Sequence, residues 1–368
     1  MLAVPMVDLS AQHRPLHDDL RRALDRVISS NRFILGDEVA ALERAVASFS
    51  GVSHGVGVSS GSDALLAMLM ACGVGPGDEV VTTPYSFFAT VEAIFRLGAK
   101  AVFADIDPVT LNLDPALAAE RVGPRTKAVL VVHLFGRPAR LAELGVVLRR
   151  GGIPLLEDAA QAIGAAGVAE QGKAAALSFF PSKNLGGFGD GGMVLTNDGD
   201  FAAQIRLIRN HGAAARQNHD RIGGNFRLDE MQAALLAVKL PRLRHWTEER
   251  RRVAAAYRAG LAGLPVELPP DEEGAVWNQF VVRVAADRRP ALIEHLTNRG
   301  IASAIYYPVP LHLQPALQSF GYRPGMFPQA ERAARETLAL PIYPELTDVV
   351  VARVSEAIAD FFSPRHLP

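Results

Sequence analysis

The chain has 368 residues with 39 acidic against 38 basic side chains, and 49% of it is apolar. That length and apolar content suffice for about two packed domains and exclude a disordered chain. A net charge of −1 argues against nucleic acid or an anionic membrane surface as partner, and the single cysteine, Cys72, excludes an internal disulfide and a thiolate metal cluster.

The N-terminus carries no basic stretch ahead of an apolar one, and no uncharged run approaches membrane-spanning length, so a cytoplasmic protein is the expectation. Residues 14–30 and 37–50 place Leu16, Leu20, Leu24, Val27 and then Val39, Leu42, Val46, Phe49 at helical spacing, which predicts two amphipathic helices. His13 and His17 have the spacing of a metal pair, but Pro15 intervenes and no third ligand is near, so no metal site is expected.

A short strand over 56–58 then breaks into Ser59-Ser60-Gly61-Ser62-Asp63 and a helix from Ala64 to Gly73. The start of that helix suits a phosphate, with Ser62 or Asp63 as its cap. The glycine spacing does not fit a dinucleotide fingerprint. Strand signals follow at 79–83, 101–106, 128–134, 153–158, 175–180 and 193–197, with helical or loop segments between them. Continuous apolar strands alternating with helices predict an α/β fold with a mostly parallel sheet covered on both faces, whose ligands bind beyond the carboxyl ends of the strands.

Chemistry-bearing residues fall at those ends. The stretch Leu177-Ser178-Phe179-Phe180-Pro181-Ser182-Lys183-Asn184-Leu185-Gly186-Gly187 continues into further glycines at 189, 191 and 192. Only five lysines are present, and Lys100, Lys127, Lys173 and Lys239 occupy positions expected to be solvated. Arginine cannot form an imine, so Lys183 is read as a Schiff-base lysine for pyridoxal phosphate. Taken alone it reads equally as a surface loop lysine. Asp158 ends the 153–158 strand; it suits a protonated ring nitrogen or the cap of the next helix. Gln161 suits a ring hydroxyl and Phe87 a ring face.

Downstream, Arg209-Asn210-His211-Gly212 and Gly223-Gly224-Asn225-Phe226-Arg227-Leu228-Asp229-Glu230 lead into an apolar-faced helix, and 242–258 is charge-dense and read as a solvated helix face. The last third predicts strands at 276–284 and 301–307 and helices at 290–299, 329–338 and 348–362. Tyr306, Tyr307 and His312 lie in a proline-stiffened segment that suits either a substrate wall or a rigid connector.

Taken together, Phe33-Ile34-Leu35-Gly36, Ser60-Gly61-Ser62-Asp63-Ala64-Leu65, Glu157-Asp158-Ala159-Ala160-Gln161, the Ser178–Gly186 stretch and the two downstream motifs resemble the DegT/StrS-type nucleotide-sugar aminotransferases. These are fold-type I pyridoxal phosphate enzymes, and the resemblance runs from about residue 7 to 346. It implies a large domain, 1–240, with a seven-stranded mixed, mostly parallel sheet, and a smaller α+β domain, 241–368, with the N-terminal helices free to pack on the latter.

The resemblance also implies that Lys183 carries the cofactor and shuttles protons. Asp158 would pair with the ring nitrogen, Gln161 bond the ring hydroxyl and Phe87 stack on the ring. Gly61, Ser62 and Ser178 would hold the phosphate with Asn225 of a neighbouring subunit, and Arg227 would reach the substrate across the interface of a homodimer. Glutamate would donate the amino group, through pyridoxamine phosphate, to a keto carbon of a nucleotide-linked sugar. The segment 313–331 resembles members acting at carbon 3; action at carbon 4 is the alternative. Tyr306 departs from relatives with histidine there. A sugar dehydratase of this fold and a non-catalytic cofactor-binding regulator are the further alternatives; Lys183 argues against the first, and Lys183, Asp158 and Gln161 against the second.

Overall fold

Seven apolar runs become seven strands of one sheet: β1 His54–Val58, β2 Glu79–Thr82, β3 Lys100–Phe103, β4 Thr126–Val132, β5 Leu155–Asp158, β6 Ala174–Ser178 and β7 Gly192–Thr196. The computed structural model describes residues 4–215 and 218–363. Strand order is β1-β7-β6-β5-β4-β2-β3. All neighbours are parallel except β7, which runs antiparallel to both β1 and β6. The central strands are buried on both faces over most of their length, which is why β4, β5 and β6 read as runs of Val, Leu and Ala rather than as alternating patterns.

The helix Gly61–Ala71 is apolar almost all round: Leu65, Leu66, Met68 and Leu69 are each at most 4% exposed, packed between the sheet and the helices Ala89–Arg96 and Gly199–Ile208. Burying each such side chain stabilises the layer by about 1.5–3 kcal/mol and so fixes where the helix begins. On the opposite face, Asp37–Phe49 packs on β1 and on the helix Glu230–Lys239, and His17–Ser30 also packs on Glu230–Lys239. Glu230 joins these parts, because its carboxylate accepts from the backbone N–H groups of Gly36, Glu38 and Val39.

Beyond the sheet, a further apolar cluster gathers the helices Leu243–Gly260, Arg289–Asn298 and Asp348–Phe362 around an antiparallel pair, β10 Phe280–Arg283 and β11 Thr337–Leu340. A short hairpin, β8 Ala213–Ala215 and β9 Asn218–His219, precedes them. Three expectations change here. Residues 301–307 form only single bridges, Ile301 to Val4 and Ala304 to Ala339, and no continuous strand. The helix Pro328–Glu336 stops before β11, whose first two residues the helical reading of 329–338 had taken in. The charge-dense helix is also not solvated throughout, since Arg250 is 2% exposed and its Nη1 donates to the carbonyls of Trp277, Asn278 and Ile342 at 3.2, 3.4 and 3.1 Å.

Arg250→Ala leaves those carbonyls without their donor and opens a void, so it is expected to lower stability by about 2–4 kcal/mol. Denaturant unfolding checks this as a lower midpoint at unchanged slope. No helix of the described residues is long and apolar enough to cross a membrane.

Candidate active site

The parallel strands β2, β4, β5 and β6 deliver their carboxyl ends to one edge, and the loops that leave them converge there. After β6 the chain turns back on itself. The Gly187 N–H donates to the Phe179 carbonyl at 2.7 Å and the Lys183 N–H to the Phe180 carbonyl at 2.9 Å. A Cβ on Gly186 would sit 2.1 Å from the Pro181 carbonyl oxygen, so only glycine closes this turn. Lys183, half-buried at its centre, has its amine pulled down to about 8 by burial, against an opposing pull from the Asp158 carboxylate.

Asp158 ends β5 on the neighbouring strand and is 6% exposed. Its Oδ2 accepts from the Thr90 hydroxyl at 2.9 Å, its Oδ1 from the Ala160 N–H at 3.2 Å, and Thr90 pairs in turn with Ser86 at 3.0 Å. Burial raises its pKa; those donors and Lys183 act in the other direction. Beneath it, Glu157 is fully buried and accepts from the N–H groups of Ala169 and Gly172 and lies 2.8 Å from His133 Nε2. Because the Ala139 N–H donates to His133 Nδ1, the ring proton sits on Nε2 and points at Glu157.

Gln161 links the β5 tip to its surroundings. Its Oε1 accepts from the Phe135 N–H at 2.6 Å and its Nε2 donates to the Tyr307 hydroxyl at 3.2 Å. The Phe135 carbonyl receives the Asn278 N–H, and the Asn278 amide donates to Asn184, next to Lys183. Asn184 itself donates to the Val276 carbonyl. The ends of β5 and β6 are thereby held by one hydrogen-bonded chain.

The helix Gly61–Ala71 points its N-terminus at the same edge. Its cap is Ser60, which accepts from the Asp63 N–H at 3.0 Å, rather than Ser62 or Asp63; Asp63 accepts from the hydroxyls of Ser59 and Ser60. Ser62 is left with its hydroxyl uncommitted to capping. A Cβ on Gly61 would lie 2.8 Å from Cβ of Ser178, and one on Gly192 would lie 2.4 Å from the Ser60 carbonyl carbon. The two glycines therefore let the helix start press against the ends of β6 and β7. Asn225 and Arg227 run alongside: Val58 bridges Arg227, the Ser59 N–H donates to the Phe226 carbonyl, and Arg227 Nη1 donates to Asn210.

Aromatic groups form one side. Phe87 is 60% exposed, with its ring centre 6.2 Å from that of Tyr307, and Tyr85 lies 6.2 Å from Tyr307 on another side. The Tyr85 hydroxyl donates to the Tyr306 carbonyl and accepts from the Tyr307 N–H. His312 does not join this wall. It is 1% exposed, pairs with Glu331 through Nε2 at 3.1 Å and packs edge-on against Phe327. Beside it in the chain, Leu311 is also buried.

Reading the sequence missed Thr90 and Lys239. Thr90 carried a faint signal as a polar residue four positions after Ser86. Lys239 carried a clearer one, three and four positions after Leu236 and Leu235 and so on the apolar face of its helix. It is fully buried rather than solvated, with Nζ 3.0 Å from His13 Nε2 and bonded to the Gly186 carbonyl.

The model of the DegT/DnrJ/EryC1/StrS aminotransferase family matches residues 16–359. The chain belongs to that family. Among its relatives, a Geobacillus stearothermophilus protein named a pleiotropic regulatory protein is 49% identical over 372 residues, covering 99% of each chain. The UDP-N-acetyl-3-dehydro-α-D-glucosamine 3-aminotransferase of Acidithiobacillus ferrooxidans is 42% identical over 97% of each chain. Of solved structures, S. venezuelae DesV in complex with a ketimine intermediate superposes with a TM-score of 0.94 at 41% identity, over 98% of each chain. In family terms the sheet and its covering helices are those of an aminotransferase.

Proposed function

We propose that this member of the family transfers an amino group from glutamate to the 3-keto carbon of a nucleotide-linked sugar, using pyridoxal phosphate, as a homodimer in the cytoplasm. The observation that carries the reading is the convergence of Lys183, in the turn after β6, and the buried carboxylate of Asp158, at the end of the adjacent strand β5, near enough for each to act on the other's charge. The residues present fit the cofactor. The open start of an eleven-residue helix, with Gly61, Ser62 and Ser178 packed around it, suits a phosphate; Asp158 suits a cationic ring nitrogen; Gln161 keeps one amide N–H for a ring hydroxyl.

Pyridoxal phosphate, when bound, supplies an aldehyde that condenses with amines and a ring that acts as an electron sink. The rest is done by side chains. Lys183 Nζ would take the proton from the amino donor's α-carbon and return it to the carbon that was the cofactor's aldehyde. Asp158 would face the ring nitrogen, and Phe87 would cover the ring. Tyr306 and Tyr307 face the sugar. Residues 1–240 form the cofactor-holding domain, and 241–368 the smaller one, which reaches the site through Val276 and Asn278.

Exposed Phe33, Ile34, Phe188 and Met231, around the start of the helix Glu230–Lys239, support a dimer whose partner receives Asn225 and Arg227. If sites are shared, mixing inactive Lys183→Met chains with inactive Arg227→Ala chains restores about a quarter of wild-type activity through subunit exchange. No recovery rejects sharing. The carbon-3 assignment is supported by the relative acting on a UDP-linked 3-dehydro sugar. A nucleotide-linked 4-keto sugar aminated in preference to the 3-keto compound overturns it.

One relative's name favours a second reading, a cofactor-binding regulator without turnover. Glutamate alone separates the two. An aminotransferase releases one equivalent of 2-oxoglutarate per site and loses its lysine-bound absorption, whereas a regulator does neither.

A further inference from the structure

We propose that Lys239 is a positioning residue for the lysine loop: from the far end of the helix Glu230–Lys239 it fixes the Gly186 carbonyl and, through that turn, the place of Lys183. The proposal rests on the reading of Lys183 given above.

Lys239 is fully buried, yet among the described residues no carboxylate comes within ion-pairing distance of its Nζ. Glu345 acts on it only from further off, and burial pulls its amine down to about 8. A cation kept in such a place needs other partners. They are the Gly186 carbonyl, the Nε2 lone pair of His13 at 3.0 Å, and the ring faces of Phe188 and Trp246 at 5.5 and 5.9 Å. Burial and the neighbouring ammonium hold His13 down to about 4, so at neutral pH its ring is uncharged and can accept. That ring stacks on Phe188 with centres 4.5 Å apart.

Two of these partners, Gly186 and Phe188, belong to the turn that carries Lys183. Phe188 is anchored again by its N–H to Gln232 Oε1, about two turns before Lys239 on the same face of the helix. The Cβ-free contact of Gly186 with Pro181 passes any shift of the Gly186 carbonyl back across the turn to Lys183. Removing the donor at 239 therefore loosens the reacting amine without touching substrate or cofactor. A lysine in this role is a hydrogen-bonding strut, and methionine, of similar length, removes the donor and its charge while keeping most of the side chain's bulk.

Lys239→Met and Lys239→Gln test this with two readouts. In cofactor-free protein, amide hydrogen exchange of residues 184–189 is expected to rise about 10-fold in the methionine variant, with the helix Asp348–Phe362 unchanged. In cofactor-loaded protein, kcat for the glutamate half-reaction is expected to fall about 10- to 100-fold with KM within a factor of about 2. Glutamine, which keeps an N–H donor, is expected to recover part of both. Unchanged exchange at 184–189, exchange rising equally in 348–362, or loss in KM alone overturns the proposal. So does failure of both variants to fold, which assigns Lys239 to overall stability. Wild-type protein that takes up no pyridoxal phosphate at Lys183 defeats the functional reading instead, and the cofactor-free exchange still reports on the loop contact.

Discussion

Lys183→Met is expected to lower transamination by about 10^4-fold, the upper range for a positioned acid–base group, and to leave the fold intact. The loss has a local cause. Lys183 is the amine at the centre of the turn after β6, its pKa already brought to about 8 by burial, and no second lysine is placed to replace it: Lys239 is committed to Gly186, and Lys173 pairs with Asp198. A small primary amine added to the variant is expected to restore part of the rate, because the missing element is a base and not the site's shape.

The same substitution is expected to stabilise the cofactor-free protein. Below pH 8 the wild-type amine is protonated in both folded and unfolded chains, and the fold bears the penalty of a half-buried ammonium. Between 8 and 10.5 the unfolded chain binds the extra proton, so wild-type stability rises with pH and its deficit against Lys183→Met closes. The gap at pH 7 is on the order of 1–3 kcal/mol. Denaturant unfolding at pH 7 and pH 10.5 measures it, and a methionine variant less stable at both would contradict it.

Asp158→Asn is the second large effect, an expected fall in kcat of about 10^2- to 10^3-fold, as when one preorganised electrostatic partner is lost. The amide fits the space. Its oxygen can keep the Ala160 N–H, and the Thr90 hydroxyl, 3.0 Å from Ser86, can turn its proton to Ser86 and accept from the amide. What disappears is the negative charge opposite the ring nitrogen, so steady-state kinetics should show the loss in kcat with the cofactor still bound. The pH dependence carries the opposite sign from that of Lys183. Burial raises the folded pKa of Asp158 above 3.8, so as pH climbs from 3.8 the unfolded chain ionises first and wild-type stability falls until the folded group has also ionised. The Asn variant escapes that loss and is expected to be the more stable form at pH 8 relative to pH 4.

Much of the fold was readable because buried parallel strands have a strong signature: Val80-Val81, Val129-Leu130-Val131-Val132 and Leu155-Leu156 can only be core. Strand polarity and order then bring residues about 20 apart in sequence, such as Asp158 and Ser178, to adjacent strand ends. Cations were the weak point. Lys239 and Arg250 sit in charged or polar sequence, and whether a long basic side chain is solvated or tied to carbonyls depends on what packs over it, which is a tertiary fact. The burial of His312 against Glu331 and Phe327 was hidden for a similar reason: its proline-rich neighbourhood spoke of rigidity but not of which way the ring points. The misread 301–307 segment has a strand's composition, yet its irregular course allows only the two bridges at Ile301 and Ala304.

Borohydride reduction of the cofactor-loaded protein followed by peptide mapping is the most direct measurement. A single phosphopyridoxyl adduct on the peptide bearing Lys183, absent from Lys183→Met, is the expected result; no adduct, or one on any of the other four lysines, would contradict the account.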